Sequence, residues 1–107
     1  MFARLVQATA KPGKKDEVRT ILANELAPLL QKQQGFVDAV GLTGDPNPQE
    51  GATLTFWKTK NDAETFYKSP EFTKILDRIK PLLERMDIHT FNVETSTFHK
   101  IAAGKAA

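Results

Sequence analysis

Residues 54 to 72 read LTFWKTKNDAETFYKSPEF, and they hold a strand, a helix start, a break and a second helix start in immediate succession. Leu54 and Phe56 alternate with Thr53, Thr55 and Trp57, so a strand over residues 52 to 59 has two unlike faces, neither plainly solvent. Asn61 followed by Glu64 has the spacing of a capping box and opens a short helix. Ser69-Pro70-Glu71 supplies a cap residue with proline at the first helical position, so a second helix starts there and the pair forms one broken helix. Phe72, Ile75, Leu76, Ile79 and Leu83 give its second piece an apolar stripe, with Pro81 distorting the last turn.

Upstream, FARLVQATA at residues 2 to 10 reads as a strand that meets a turn at Lys11-Pro12-Gly13. Val18, Ile21, Leu22, Leu26, Leu29 and Leu30 then recur at helical offsets, with Gly35 as the stop. Pro28 cannot donate to the carbonyl of Asn24, which predicts a kink. FVDAVGLT at 36 to 43 is a second strand, and the proline- and glycine-rich residues 44 to 51 form a loop. Downstream, DIHTFNVETSTF at 87 to 98 reads as the last strand, with His89, Phe91 and Val93 on one side and Ile88, Thr90 and Phe98 on the other. The order is strand, helix, strand, strand, helix, strand. It predicts an α+β, ferredoxin-like βαββαβ domain with a four-stranded antiparallel sheet over residues 1 to 99 and a flexible tail at 100 to 107. Both helices then cover one sheet face, and the apolar groups on the other predict a homodimer through that open face.

Composition narrows the function without naming it. The 107 residues are 40% hydrophobic and 26% charged, as in one ordinary globular domain. A net charge of +2 makes no electrostatic case for nucleic acid. The chain has no cysteine, which excludes a disulfide, a thiolate metal site, an iron–sulfur cluster and a thiol nucleophile, and fits a reducing cytoplasm. Arg4 interrupts the first apolar run, and no stretch approaches the roughly 18 apolar residues of a membrane helix. The expectation is a soluble, unexported, cytoplasmic protein with no membrane and no nucleic-acid partner. Phosphate-cradling glycine loops, dinucleotide fingerprints and zinc helices are absent from the sequence.

The KPGK of Lys11 to Lys14, the GFVDAVGL of Gly35 to Leu42 and the stretch from Leu54 to Phe72 together resemble the antibiotic biosynthesis monooxygenase domain family, also described as dimeric α/β barrels. The resemblance covers nearly the whole chain. Its motifs, a Trp closing the third strand and a Ser-Pro break in the helix, mark the superfamily and not one chemistry. Activities in the family run from cofactor-free oxygenation of quinols or polyketides, through haem degradation, to none known. In the haem-degrading branch the resemblance puts the iron ligand at Leu76, a tryptophan at Phe66 and an asparagine near Val6; leucine cannot coordinate iron, so that route is not implied here. The quinol-oxidising branch often carries histidines around the Ser-Pro break, where this chain has Phe66 and Glu71.

The resemblance thus implies a cofactor-independent monooxygenase acting on a small electron-rich aromatic, with no cofactor and no metal. Trp57, Phe66, Tyr67, Phe72 and Leu76 would shape the cavity, and His89 or Tyr67 would handle the proton; Asn92 can hydrogen-bond substrate or an oxygen intermediate, or make a structural bond. From the residues themselves, Trp57 is a flat ring for stacking an aromatic ligand, and equally a core residue. Tyr67 beside Phe66 and Phe72 makes an aromatic wall with one hydroxyl, and equally helix packing. His89 titrates near neutral pH and can serve as a base, or lie at a surface or dimer contact. His99 has no assigned role, and the two histidines make no compact ligand set. Arg4 and Asp38 are charges inside strands that can orient a phenolate or carboxylate, or face solvent. The alternative to an enzyme is a non-catalytic dimer of the same fold that binds a small molecule or a protein.

Overall fold

A computed structural model describes residues 1–98; His99 and the tail at 100–107, with the flexibility expected of it, lie outside the described residues. The chain runs β1 (Phe2–Ala10), α1 (Lys15–Ile21), a π-helical segment (Leu22–Leu26), α2 (Ala27–Gln31), β2 (Phe36–Thr43), β3 (Glu50–Trp57), α3 (Lys60–Tyr67), α4 (Pro70–Ile79), a 3₁₀ turn (Lys80–Leu82) and β4 (Leu83–Asn92). The four strands form one antiparallel sheet in the order β2-β3-β1-β4. This is the ferredoxin-like α+β fold expected from the element order.

Register assigns every strand residue to a face. Phe2 lies opposite Trp57 on β3 and Asn92 on β4, Arg4 opposite Thr55 and Thr90, and Val6 opposite Thr53 and Ile88. These even-numbered positions of β1 face the helices, since Phe2 and Trp57 join Ile21, Leu26, Leu30, Phe66, Phe72, Ile75 and Ile79 in one buried cluster. The odd positions face away: Leu5 lies opposite Leu54 and His89, and Ala3 opposite Phe56 and Phe91.

Local chemistry explains the helix boundaries, and in four places the structure departs from the periodicity. Helix α3 is capped by Thr59, not by Asn61: Thr59 is extended, and its hydroxyl accepts the Asp62 N–H. Ser69 caps α4 as expected, accepting the Phe72 N–H, with Pro70 at the first helical position. Pro28 produces a π-helical segment where a kink was expected, and there the Ala27 N–H donates to the Leu22 carbonyl, one residue further back than in an α-helix. Widening the helix by one residue relieves the crowding that a proline ring imposes on the preceding turn.

Strand β3 lies two residues earlier than residues 52 to 59, because Glu50 pairs with Thr9 and its carbonyl accepts the Gly44 N–H. The last strand is Leu83–Asn92, not residues 87 to 98. Pro81 ends the helix earlier than the apolar stripe implied, and Leu83 pairs with Ala10 in the sheet instead of extending that stripe. Val93 and Phe98 therefore lie beyond the strand. Arg78 of α4 forms an ion pair with Glu25 in the π segment, tying the two helical stretches together at the surface.

Gly35 ends the first helical run with φ +79°, in the left-handed region, and a Cβ there would collide with the Asp62 side chain. Gly35→Ala should lower unfolding stability by about 1–3 kcal/mol through left-handed strain and displacement of Asp62. An unchanged urea midpoint in that variant would show that the turn tolerates a side chain.

Candidate functional site

Side-chain size on the helix-facing side of the sheet changes along its length. Toward one end it carries Phe2, Phe36 and Trp57, which fill the space under the helices. Toward the other it carries Ala8, Ala10, Ala39, Gly41, Gly51 and Thr53, none of which reaches far from the backbone. The helices therefore stand away from the sheet at that end and leave a cavity of about 490 Å³, within the usual range for a small-ligand site.

The cavity floor is Arg4, Val6 and Ala8 of β1 with Ala39, Gly41, Thr53 and Thr55 of the neighbouring strands. Its roof is Val18, Leu22, Ala23, Leu26 and Leu30, so the π segment lies directly over it. Tyr67, Phe72, Leu76 and Ile79 close one side, and Lys15, Arg19 and Glu50 are the other charged residues on its lining.

The polar group deepest in this wall is a short chain of hydrogen bonds. The Trp57 indole N–H donates to the Thr55 hydroxyl at 3.1 Å, and that hydroxyl lies 2.9 Å from the Tyr67 hydroxyl. Thr55 also lies 3.4 Å from the Arg4 carbonyl. A threonine hydroxyl has one hydrogen to give. When Thr55 donates it to Tyr67, the phenol proton is free to point into the cavity. When Thr55 turns to the Arg4 carbonyl, Tyr67 donates to Thr55 and offers the cavity its oxygen lone pairs. Tyr67 can therefore donate or accept a hydrogen bond at the cavity wall without displacing a heavy atom.

Packing holds this hydroxyl in place. The Tyr67 ring meets Trp57, Phe66 and Phe72 edge-on, at centroid distances of 5.7, 5.0 and 4.9 Å. The Arg4 guanidinium carbon sits 3.6 Å above the Tyr67 ring, in cation–π contact.

Among the residues singled out from sequence, Tyr67, Phe72 and Leu76 come together on the cavity wall. Trp57 and Phe66 stand behind them as packing, 0% and 2% exposed, and do not line the cavity. The reason is steric: each ring is enclosed by its aromatic neighbours, Phe36 and Phe66 against Trp57, and Trp57 and Phe72 against Phe66. His89 is an exposed residue on the opposite face of the sheet, level with Leu5 and Leu54, so it and Tyr67 do not share a site. Asn92 is exposed at the end of β4 opposite Phe2 and lies outside the cavity. Asp38 is level with Phe56 on the open face. The sequence reading did not identify Thr55, Gly41 or the run of small residues. Their signal is the recurrence of Ala, Gly and Thr at alternate positions of three strands, which becomes meaningful only once register aligns them.

No group of three or more His, Asp or Glu side chains among the described residues is placed to hold a metal ion. Leu76, where the haem-degrading branch would have its iron ligand, presents only hydrocarbon to the cavity.

Comparison with known proteins agrees with this architecture. Residues 1–78 match the family model for antibiotic biosynthesis monooxygenase, and the chain belongs to that family. A candidate antibiotic biosynthesis monooxygenase of Deinococcus radiodurans superposes with a TM-score of 0.81 at 15% identity, over 90% of this chain and 95% of its own. A variant of SnoaB, a cofactor-independent oxygenase of Streptomyces nogalater, superposes with a TM-score of 0.81 at 16% identity, over 90% and 95%. A conserved protein of Methanosarcina mazei Go1 gives a TM-score of 0.76 at 22% identity, over 85% and 91%. At these identities the likeness establishes the fold. A search of curated proteins produced no sequence match. Among the described residues, no helix is long and apolar enough to cross a membrane.

A Cβ on Gly41 would meet no atom within 4 Å, and the residue lines the cavity. Gly41→Val should therefore leave thermal stability within about 1 kcal/mol of the parent, since the side chain enters open space on a strand that favours it. The added bulk should weaken any ligand held in the cavity, as read by calorimetry; undiminished affinity would place that ligand elsewhere.

Proposed function

We propose that the protein is a cofactor-independent monooxygenase that oxidises a small electron-rich aromatic, a phenol or quinol, in the cavity beside Tyr67. The observation that carries this reading is the hydroxyl pair of Tyr67 and Thr55 beside the apolar side chains of Val6, Phe72 and Leu76 on the cavity wall. Family membership and the fold shared with a cofactor-independent oxygenase support it.

The chemistry asks little of the protein. Removal of the substrate's hydroxyl proton gives an electron-rich anion that can itself reduce O₂. One oxygen atom ends on the ring as a quinone carbonyl and the other leaves as water, with the two hydrogens of that water coming from the substrate. The protein must bind the ring, let its proton leave and stabilise the anion left behind. Phe72, Leu76 and Val6 offer the ring apolar contact; the substrate proton passes to solvent water at the cavity mouth, and Tyr67, oriented by Thr55, donates a hydrogen bond to the anion. His89, on the other sheet face, has no part in this step.

The reading includes a homodimer through the open sheet face. That face carries Leu5, Leu54, Val40, Leu42 and Phe91, with Leu42 51% and Phe91 53% exposed. An apolar surface of this kind is costly in water and is offset by burial against a second copy.

Oxygen uptake with hydroquinones, anthrones and naphthols tests the activity, and turnover is expected without added metal or flavin. Tyr67→Phe should lower kcat by about 100-fold or more, the usual cost of removing a positioned hydrogen-bond donor to a developing anion. Ligand binding with no oxygen uptake on any of these compounds would instead identify a non-catalytic binding protein. Light scattering at micromolar concentration should give the mass of a dimer, and Phe91→Glu should shift it toward monomer. A monomeric parent protein would overturn the interface.

A further inference from the structure

The Arg4 guanidinium makes no ion pair and no hydrogen bond with another side chain among the described residues, although it is half-buried and lines the cavity. Its nearest aromatic contact is the Tyr67 ring, with the guanidinium carbon 3.6 Å from the centroid; Phe72, nearly perpendicular to Tyr67, is further off at 5.7 Å. A cation–π contact consumes none of the guanidinium's N–H donors, which stay available to a ligand. Glu50 is the lone acidic residue on the described lining, and it pairs with Thr9, five positions along β1 from Arg4. At the rise of a strand this puts their backbones about 17 Å apart, too far for Glu50 to neutralise Arg4. Lys15 and Arg19 add further positive charge to the same lining.

We propose that Arg4 is a specificity-determining residue that selects aromatic acids bearing a hydroxyl next to the carboxylate. The inference rests on the cavity beside Tyr67 being the ligand site. A planar guanidinium edge matches a carboxylate in two parallel hydrogen bonds. Because the guanidinium lies directly over the ring whose hydroxyl faces the cavity, the acid and the hydroxyl of the ligand must sit side by side. A ligand with the two groups at opposite ends satisfies Arg4 or Tyr67, not both. The ring itself packs against Val6, Phe72 and Leu76.

Isothermal titration calorimetry in the absence of oxygen, so that binding is read without turnover, tests this with three probes: 3-hydroxy-2-naphthoate, 6-hydroxy-2-naphthoate and 2-naphthol. The parent protein should bind the first at least about tenfold more tightly than either of the others, as expected for charge-assisted hydrogen bonds made together with the hydroxyl contact. Arg4→Gln, which keeps the stem and removes the charge, should reduce that preference to within about threefold while retaining 2-naphthol binding. Arg4→Lys, a point charge without the fork, should restore only part of it. Equal affinity of the parent protein for 3-hydroxy-2-naphthoate and 2-naphthol, or a preference unchanged in Arg4→Gln, overturns the proposal. Equal affinity for the two hydroxynaphthoates overturns the adjacency.

These outcomes are separate from catalysis. An anion preference that depends on Arg4, without oxygen uptake on any quinol, removes the oxygenase reading and keeps this one. Oxygen uptake on quinols by a parent protein that shows no preference for 3-hydroxy-2-naphthoate over 2-naphthol does the reverse.

Discussion

Trp57 is 0% exposed, and its burial sets the distance between helices and sheet. The indole contacts Phe36 of β2 at 5.6 Å and Phe66 of α3 at 5.6 Å, so three elements close on one ring. Truncating a buried tryptophan to alanine costs about 3–5 kcal/mol, a large share of the 5–15 kcal/mol that stabilises an ordinary domain. Its N–H also fixes the Thr55 hydroxyl, which in turn lies against Tyr67. One residue thereby acts as both the wedge of the core and the anchor of the polar group beside the cavity. The hydrogen bond is the smaller contribution, at about 1 kcal/mol, but losing it would leave a buried donor unsatisfied, which costs more than the bond gains.

The cavity follows from the same wedge. Large rings at one end hold the helical layer off the sheet, and Ala, Gly and Thr at the other end do not fill the gap that results. Helix propensity alone would let the roof sag into this space. The π segment over Leu22–Leu26 instead carries the chain across it, with Leu22 and Leu26 pointing inward and Arg78 pairing with Glu25 outside. Pro28 thus shapes the roof of the site through backbone geometry, with no role in its chemistry.

Electrostatics then distinguish the two ends of the lining. Near the aromatic wedge the charge is Arg4, over the Tyr67 ring and without an acidic neighbour; Glu50 lies at the far end, five positions along β1 from Arg4. A half-buried cation in an apolar setting interacts with an anion several times more strongly than an exposed one, since the effective dielectric is lower. A single guanidinium is sufficient to bias which aromatic molecules enter.

Element order, the cap at Ser69, the stop at Gly35 and the apolar stripe of α4 were legible in the sequence, because each depends on contacts within a few residues. The aromatic wall was legible in part: Phe72 and Leu76 are four residues apart on α4, and Tyr67 ends α3 just before the Ser-Pro break. What spacing could not supply was which face of each strand the helices cover, a one-residue distinction that moves a side chain from cavity to open face. His89 went to the open face and Arg4 to the cavity on that distinction, and both were plausible strand charges beforehand. Trp57 and Phe66 were read as cavity walls because an aromatic ring at the end of a strand has the same signature whether it lines a cavity or plugs one. Local chemistry within the chain determined the fold; strand register and the mismatch in side-chain size between distant strands decided the site, because these are properties of residues brought together from far apart.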